Sequence, residues 1–352
     1  MNPHKGRTAT IVGAAAALAL VSAGTANAAA VSDPIVEGLS APLGLAVGDD
    51  GTLYVSQSDF SGGPGSLSEY RKGALRTIAE AGFVTGVEAK GRGTTSFLAD
   101  GQLRGINPSG KVTTLADLAA YETMYNPDAG NSYGLQGLSA SCEAEVAALP
   151  PDFAEALLPH SGVVDSNPYA VAILANGDRV VADAGGNDLV KVSPSGAVST
   201  LAVLPPRSSV ISGAADLGLP ACVEGLVMNF DFVPTDVEVG PDGMLYVSSL
   251  PGGPEGPSPL GPRGGVFTVH PRTGAQTQIG DGFYGATDLA VTDSGDVYVT
   301  ELYSGRVSKL SGGGPVPIAS LVEPVAIEYA SGVLYVSAGV FSGPGTVVMI
   351  TP

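Results

Sequence analysis

Tryptophan is absent from this chain, and cysteine and histidine nearly so: two Cys and three His in 352 residues. A cysteine-rich scaffold and a Cys-based zinc module each need more cysteines than the chain holds, and a three-His metal centre would have to use every histidine, His4 among the first residues included. Bases are scarce too. Sixteen Lys and Arg face 34 acids, a formal charge of −18, and a nucleic-acid partner would demand the basic surface that this composition withholds. No apolar run reaches the ~18 residues of a membrane-spanning helix. Catalytic signatures are missing as well: there is no G-x-S-x-G elbow, H-E-x-x-H helix or Walker loop. The clusters GGPG at Gly62 and GGP at Gly252 lack the lysine and helix context of a phosphate cradle, and read as long hairpin loops.

What is present begins with a leader. Lys5 and Arg7 precede an apolar stretch from Ala9 to about Ala23, and Ala26-Asn27-Ala28 follows as a small-x-small cleavage signal. This pattern predicts a secretory signal peptide over residues 1–28, cleaved near Ala28. No cysteine follows it to accept a lipid, no arginine pair precedes it, and no anchor tail precedes Pro352. A secreted mature chain with no membrane span is expected, carrying 34 acids against 14 bases and only His160 and His270. Its acidity suits solubility outside the cell.

Glycine and proline are abundant, at 50 and 27 residues, and they are patterned. Six copies of one motif recur: APLGLAVGDDGTLYVS from Ala41, FVTGVEAKGRGTTSFLAD from Phe83, NPYAVAILANGDRVVAD from Asn167, VPTDVEVGPDGMLYVSS from Val233, GATDLAVTDSGDVYVTE from Gly285 and EPVAIEYASGVLYVSAG from Glu323. Each is a short apolar strand, a turn ending in glycine and a second strand rich in Val, Tyr and Leu, which is a β-hairpin signature. Most continue through two further strands, and four strands make one propeller blade. The equivalent residues Leu45, Val87, Val171, Val237, Leu289 and Ile327 set a blade of about 40 residues once two insertions, about 121–165 and 205–232, are set aside. The expectation is an all-β, six-bladed propeller forming a single domain over 29–352. The last copy, ending TVVMITP, lacks a fourth strand. DPIVEGLSAP from Asp33 offers one, so the N-terminal strand is expected to close the last blade and leave no long open edge.

Cys142 lies in the first insertion and Cys222 in the second. Two cysteines in an exported chain suggest one disulfide, here tying both insertions into a cap. Asp152-Phe153-Ala154-Glu155 reads as a capping box opening a short helix in that cap.

Candidate chemistry rests on acids near the channel of such a ring. Asp236 and Asp288 hold equivalent places in PTDV and ATDL, while Asp100, Asp183 and Glu301 follow the second strands in LAD, VAD and VTE. Converging oxygens would suit Ca²⁺, which takes six to eight of them. Against this, acids at repeat turns commonly bond nearby backbone amides.

The segment SNPYAVAILANGDRVVADAGGNDLVKVSPSGAVSTLAVLPPR, Ser166 to Arg207, resembles the exported ScyD/ScyE family, and VPTDVEVGPDGMLYVSSLPGGP and GATDLAVTDSGDVYVTEL continue the likeness. The resemblance implies an NHL-like (or TolB-like) propeller outside the cytoplasm and assigns no reaction or catalytic residue. The Cys-bearing first insertion departs from the family pattern. Two readings stand. The first is a non-catalytic extracellular binding or scaffold protein with an unidentified ligand or protein partner, because variable loops on a repeat scaffold carry no catalytic constellation. The alternative is a Ca²⁺-dependent hydrolase or lactonase-like enzyme acting through channel-facing acids.

Overall fold

The computed structural model describes residues 29–89, 93–254 and 256–352. The expected signal peptide, 1–28, lies outside them. Among the described residues the strands form seven sheets, each with four or five strands.

Six of these sheets follow the repeat. Their first strands are Pro42–Val47, Val84–Glu88, Pro168–Ile173, Pro234–Val239, Ala286–Val291 and Ile327–Ala330. Each contacts the first strand of the next sheet, and Ile327–Ala330 returns to Pro42–Val47, so the ring closes. Within the first five of these six sheets the strands run antiparallel in sequence order, as turn-linked hairpins must. Asp100-Gly101 shows why the turns read as they do. Both residues have positive φ, 53° and 74°, as a two-residue turn between right-twisted strands requires, and Asp and Gly tolerate that backbone better than branched residues.

The last sheet is completed from the other end of the chain. Strand Gly345–Thr351 pairs on one side with Val333–Ala338 and on the other with Val36–Leu39 and Ala30–Val31. Sheet-edge amides that would otherwise be open are thereby bonded.

Burial follows the ring. One apolar cluster fills each of the six gaps between neighbouring sheets: Ala46, Leu67 and Phe97 lie between the first two, and Leu45, Val55 and Val347 between the last and the first. Hydroxyls stitch the same gaps near the axis. Thr85 Oγ1 donates to Pro168 O at 2.8 Å, Thr235 Oγ1 to Ala286 O at 2.8 Å and Ser337 Oγ to Pro42 O at 2.9 Å. Gly86 permits this closeness, since a Cβ there would stand 2.5 Å from Tyr169 O.

The seventh sheet belongs to the insertions. It joins the pair Ser132–Leu135 and His160–Ser161 of the first to the pair Val227–Phe230 and Arg207–Val210 of the second, through Ser132–Leu135 against Val227–Phe230. Three short helices accompany it, α1 Leu118–Tyr125, α2 Ala140–Ala147 and α3 Pro151–Leu157. Cys142 and Cys222 form a disulfide inside a core of Leu135, Val146, Leu157, Ile211, Val223 and Phe230. The cap is thus one body built from two separated stretches of chain. The expected helix near Asp152 forms, but Pro150 and Pro151 begin it. Asp152 sits in its first turn and no side chain caps it, because proline already supplies a helical φ and has no N–H to satisfy.

Candidate functional site

The third residue of each of the first five opening strands lines the axis of the ring. Gly44, Gly86 and Ala170 stand there in three neighbouring sheets, and Asp236 and Asp288 in the next two. The cavity they enclose, with Tyr169 and Glu238, is about 20 Å³. That is room for about one water molecule.

Asp236 and Asp288 are hydrogen-bonded to each other, and Asp236 also accepts from the Leu289 amide at 3.2 Å. Burial raises the Asp236 carboxyl to about 6, against the favourable hydrogen bonds from Asp288, Leu289 and Val237. Asp288 is pushed well above the carboxylate range, first by burial and then by the charge of Asp236. Two adjoining buried carboxyls share a proton more readily than they hold two charges. At neutral pH the pair therefore holds one proton between its two carboxyls rather than two charges. Tyr169 beside them is raised by burial and by both acids, so it stays a neutral phenol.

The three acids after second strands lie elsewhere and share one local role. Asp100 Oδ1 accepts from Phe83 N at 2.9 Å, Asp183 Oδ1 from Asn167 N at 2.6 Å and Glu301 Oε2 from Tyr284 N at 2.8 Å. In each case the donor is the amide just before the same sheet's first strand, 17, 16 and 17 residues back. Asp100 is also paired with Arg104 at 2.9 Å, and Glu301 accepts from Ser308 Oγ at 2.5 Å. The structure thus brings Asp236 and Asp288 together, and sets Asp100, Asp183 and Glu301 each within its own sheet.

A larger opening lies where the first and last sheets meet. A groove of about 340 Å³ is lined by Leu39, Ala41, Phe60, Val340 and Phe341 together with the polar Ser58, Asp59 and Ser61. Phe60 and Phe341 are 52% and 45% exposed. Their rings lie 5.6 Å apart, and Phe83 continues the aromatic run 6.0 Å from Phe60. Sequence reasoning passed over this groove because its two phenylalanines lie 281 positions apart and become neighbours only when the ring closes.

No family model and no curated protein matches the chain. Solved structures do. A catalytically inactive virginiamycin B lyase from Staphylococcus aureus, crystallised with quinupristin, is 13% identical and aligns with a TM-score of 0.51 over 90% of this chain and 96% of its own. A gluconolactonase from Xanthomonas campestris gives 13% identity and 0.51 over 90% and 88%. A putative glucose dehydrogenase from Thermus thermophilus gives 16% and 0.50 over 91% and 100%. The chain has a β-propeller fold. At such identities the likeness concerns architecture alone, and the propeller hosts many unrelated chemistries.

Proposed function

We propose that this protein is an exported, non-catalytic binding protein of ScyD/ScyE type, a six-bladed propeller with the seventh sheet as a separate cap, and that its ligand presents an apolar or aromatic group to the groove at the ring's seam. One observation carries this reading: the axial cavity holds about one water, whereas the seam groove, at about 340 Å³, has room for a small ligand and presents two half-exposed phenylalanines to it. Exposed aromatic rings in a concave surface lose unfavourable hydration when a ligand covers them. The ring is a rigid support for such a surface, because each gap between sheets is filled and hydrogen-bonded.

The disulfide and the expected leader support export. Among the described residues no helix is long and apolar enough to cross a membrane. The hydrolase alternative has less in its favour. Were Asp236 and Asp288 to hold a Ca²⁺ ion, a cavity of about 20 Å³ would leave no place beside it for a substrate carbonyl.

The test is a titration with a neutral phenyl-naphthylamine fluorophore, an apolar aromatic probe carrying no charge to be repelled by the acidic chain. Saturable binding to the wild type that is lost in Phe60→Ala/Phe341→Ala supports the reading. Equal binding by both proteins overturns it.

A further inference from the structure

The loops that carry the two groove phenylalanines are equivalent in the ring. Phe60 lies in 58–64, between strands Leu53–Gln57 and Gly65–Arg71 of the first sheet, and Phe341 in 339–344, between Val333–Ala338 and Gly345–Thr351 of the last. Each loop is held by a carboxylate. Asp59 Oδ1 accepts from Ser61 N at 2.8 Å and from Ser61 Oγ at 2.5 Å. Glu323 Oε2 accepts from Phe341 N and Ser342 N, both at 2.8 Å, and from Ser342 Oγ at 2.9 Å. Ring and acid are therefore fixed as neighbours at both phenylalanines. The bonds from Ser61 also hold the Asp59 carboxyl below its ordinary range, so it is charged at neutral pH. No base offsets it within the groove: among the described residues that line it there is no Lys, Arg or His.

These features discriminate between ligands. An anion would meet Asp59, the negative faces of the rings and a chain of formal charge −18, all of which oppose it. A purely apolar ligand would use the rings and leave the carboxylate to solvent. A primary ammonium is strongly hydrated and gives up its water reluctantly beside apolar walls. An ammonium whose hydrogens are replaced by methyl groups meets both demands. Its surface is apolar, and its charge is attracted by ring faces within ~6 Å and by the carboxylate. Phe60 and Phe341 are placed for this, with centroids 5.6 Å apart and planes tilted by 38°, and Phe83 extends the run.

We propose that the seam groove takes a methylated, quaternary ammonium group of a small organic cation, its methyl groups against Phe60 and Phe341 and its charge balanced by Asp59, with Glu323 as a second nearby acid. This ligand class rests on the reading of the groove as the ligand site, and narrows the apolar group expected there to one that carries positive charge. The acidity of the chain then has a use beyond solubility, because a negative surface raises the local concentration of cations and speeds their arrival.

The experiment compares choline with dimethylbutanol, its neutral isostere, which has carbon where choline has nitrogen. Binding to the mature chain is read directly at low ionic strength, by saturation transfer to the methyl protons of each probe. Choline should bind at least about five-fold more tightly than the alcohol, and the advantage should shrink in ~1 M salt, which screens the carboxylates. In Asp59→Asn/Glu323→Gln, where amide oxygens still accept from the same donors, the two probes should bind within about two-fold of each other, since only the weak ring attraction remains. Phe60→Ala/Phe341→Ala should lose both. Equal binding of the two probes to the wild type overturns the ligand class, as does failure of both while the neutral fluorophore still binds; in either case the groove survives as a site. A preference for choline undiminished in Asp59→Asn/Glu323→Gln also overturns it. Failure of the fluorophore and both probes alike sinks the groove itself, and the ligand class with it.

Discussion

Replacing both channel carboxyls, Asp236→Asn/Asp288→Asn, should change the protein's response to pH more than its stability in acid. The amides preserve the size of the carboxyls, and they preserve an acceptor for the Leu289 amide and a donor between the two side chains. What they remove is titration. A carboxyl whose native pKa lies above its unfolded value holds its proton more tightly in the folded chain. Its stabilisation is therefore complete below the unfolded pKa and lost as pH rises through the native one. For Asp236 that window runs from 3.8 to about 6. A rise of roughly two units corresponds to about 3 kcal/mol, little reduced by solvent because Asp236 is 6% exposed. Between pH 4 and pH 8 the double variant should gain at least about 3 kcal/mol on the wild type, because Asp288, whose native carboxyl also lies well above its unfolded value, adds to the Asp236 contribution. With an m-value near ~3 kcal/mol per molar, that is a relative shift of at least about 1 M in urea midpoint. The assay is urea unfolding at several pH values in chelator, followed by tyrosine fluorescence and by circular dichroism. Stability curves that stay parallel across that range would refute the reasoning. They would mean that both carboxylates are charged at neutral pH, as a channel built for a cation requires.

Other outcomes follow from the packing. Cys142→Ser/Cys222→Ser opens a loop of 80 residues and should cost about 4 kcal/mol in the chain-entropy picture; hydrogen exchange should quicken in the cap before the ring, and uniform quickening would contradict a separately packed cap. Phe232→Ala empties a fully buried site whose ring lies 4.7 Å from Phe267, with an expected loss of about 3–5 kcal/mol in denaturant unfolding. Thr235→Val leaves Ala286 O without its 2.8 Å donor across the gap between two sheets and should cost about 1–2 kcal/mol; no measurable change would remove the hydroxyl stitching from the account of ring closure.

The ring was legible in the sequence because its signals are local. A turn glycine such as Gly101 and a strand rich in Leu, Tyr and Val such as Leu53–Gln57 need no distant partner to be recognised, and six repetitions multiply a weak signal. The pairing of the N-terminal strand was legible for a different reason: the last copy lacked a strand, and the leading segment supplied one of the right pattern. The cap sheet was not. Its strands Ser132–Leu135 and Val227–Phe230 are only four residues long, and they pair across nearly a hundred positions of sequence with no repeat to announce them. Asp236 and Asp288 could be placed on the axis because equivalent repeat positions share a direction. Phe60 and Phe341 could not, since they form a surface only through closure.

The seam groove is tested most directly by one titration, the neutral phenyl-naphthylamine fluorophore against wild type and Phe60→Ala/Phe341→Ala. The two proteins should unfold alike, because these rings are half exposed. Saturable binding of about one probe per chain in the wild type, reduced at least ten-fold in the variant, is the predicted result. Unchanged binding in the variant would show that the groove is not the ligand site.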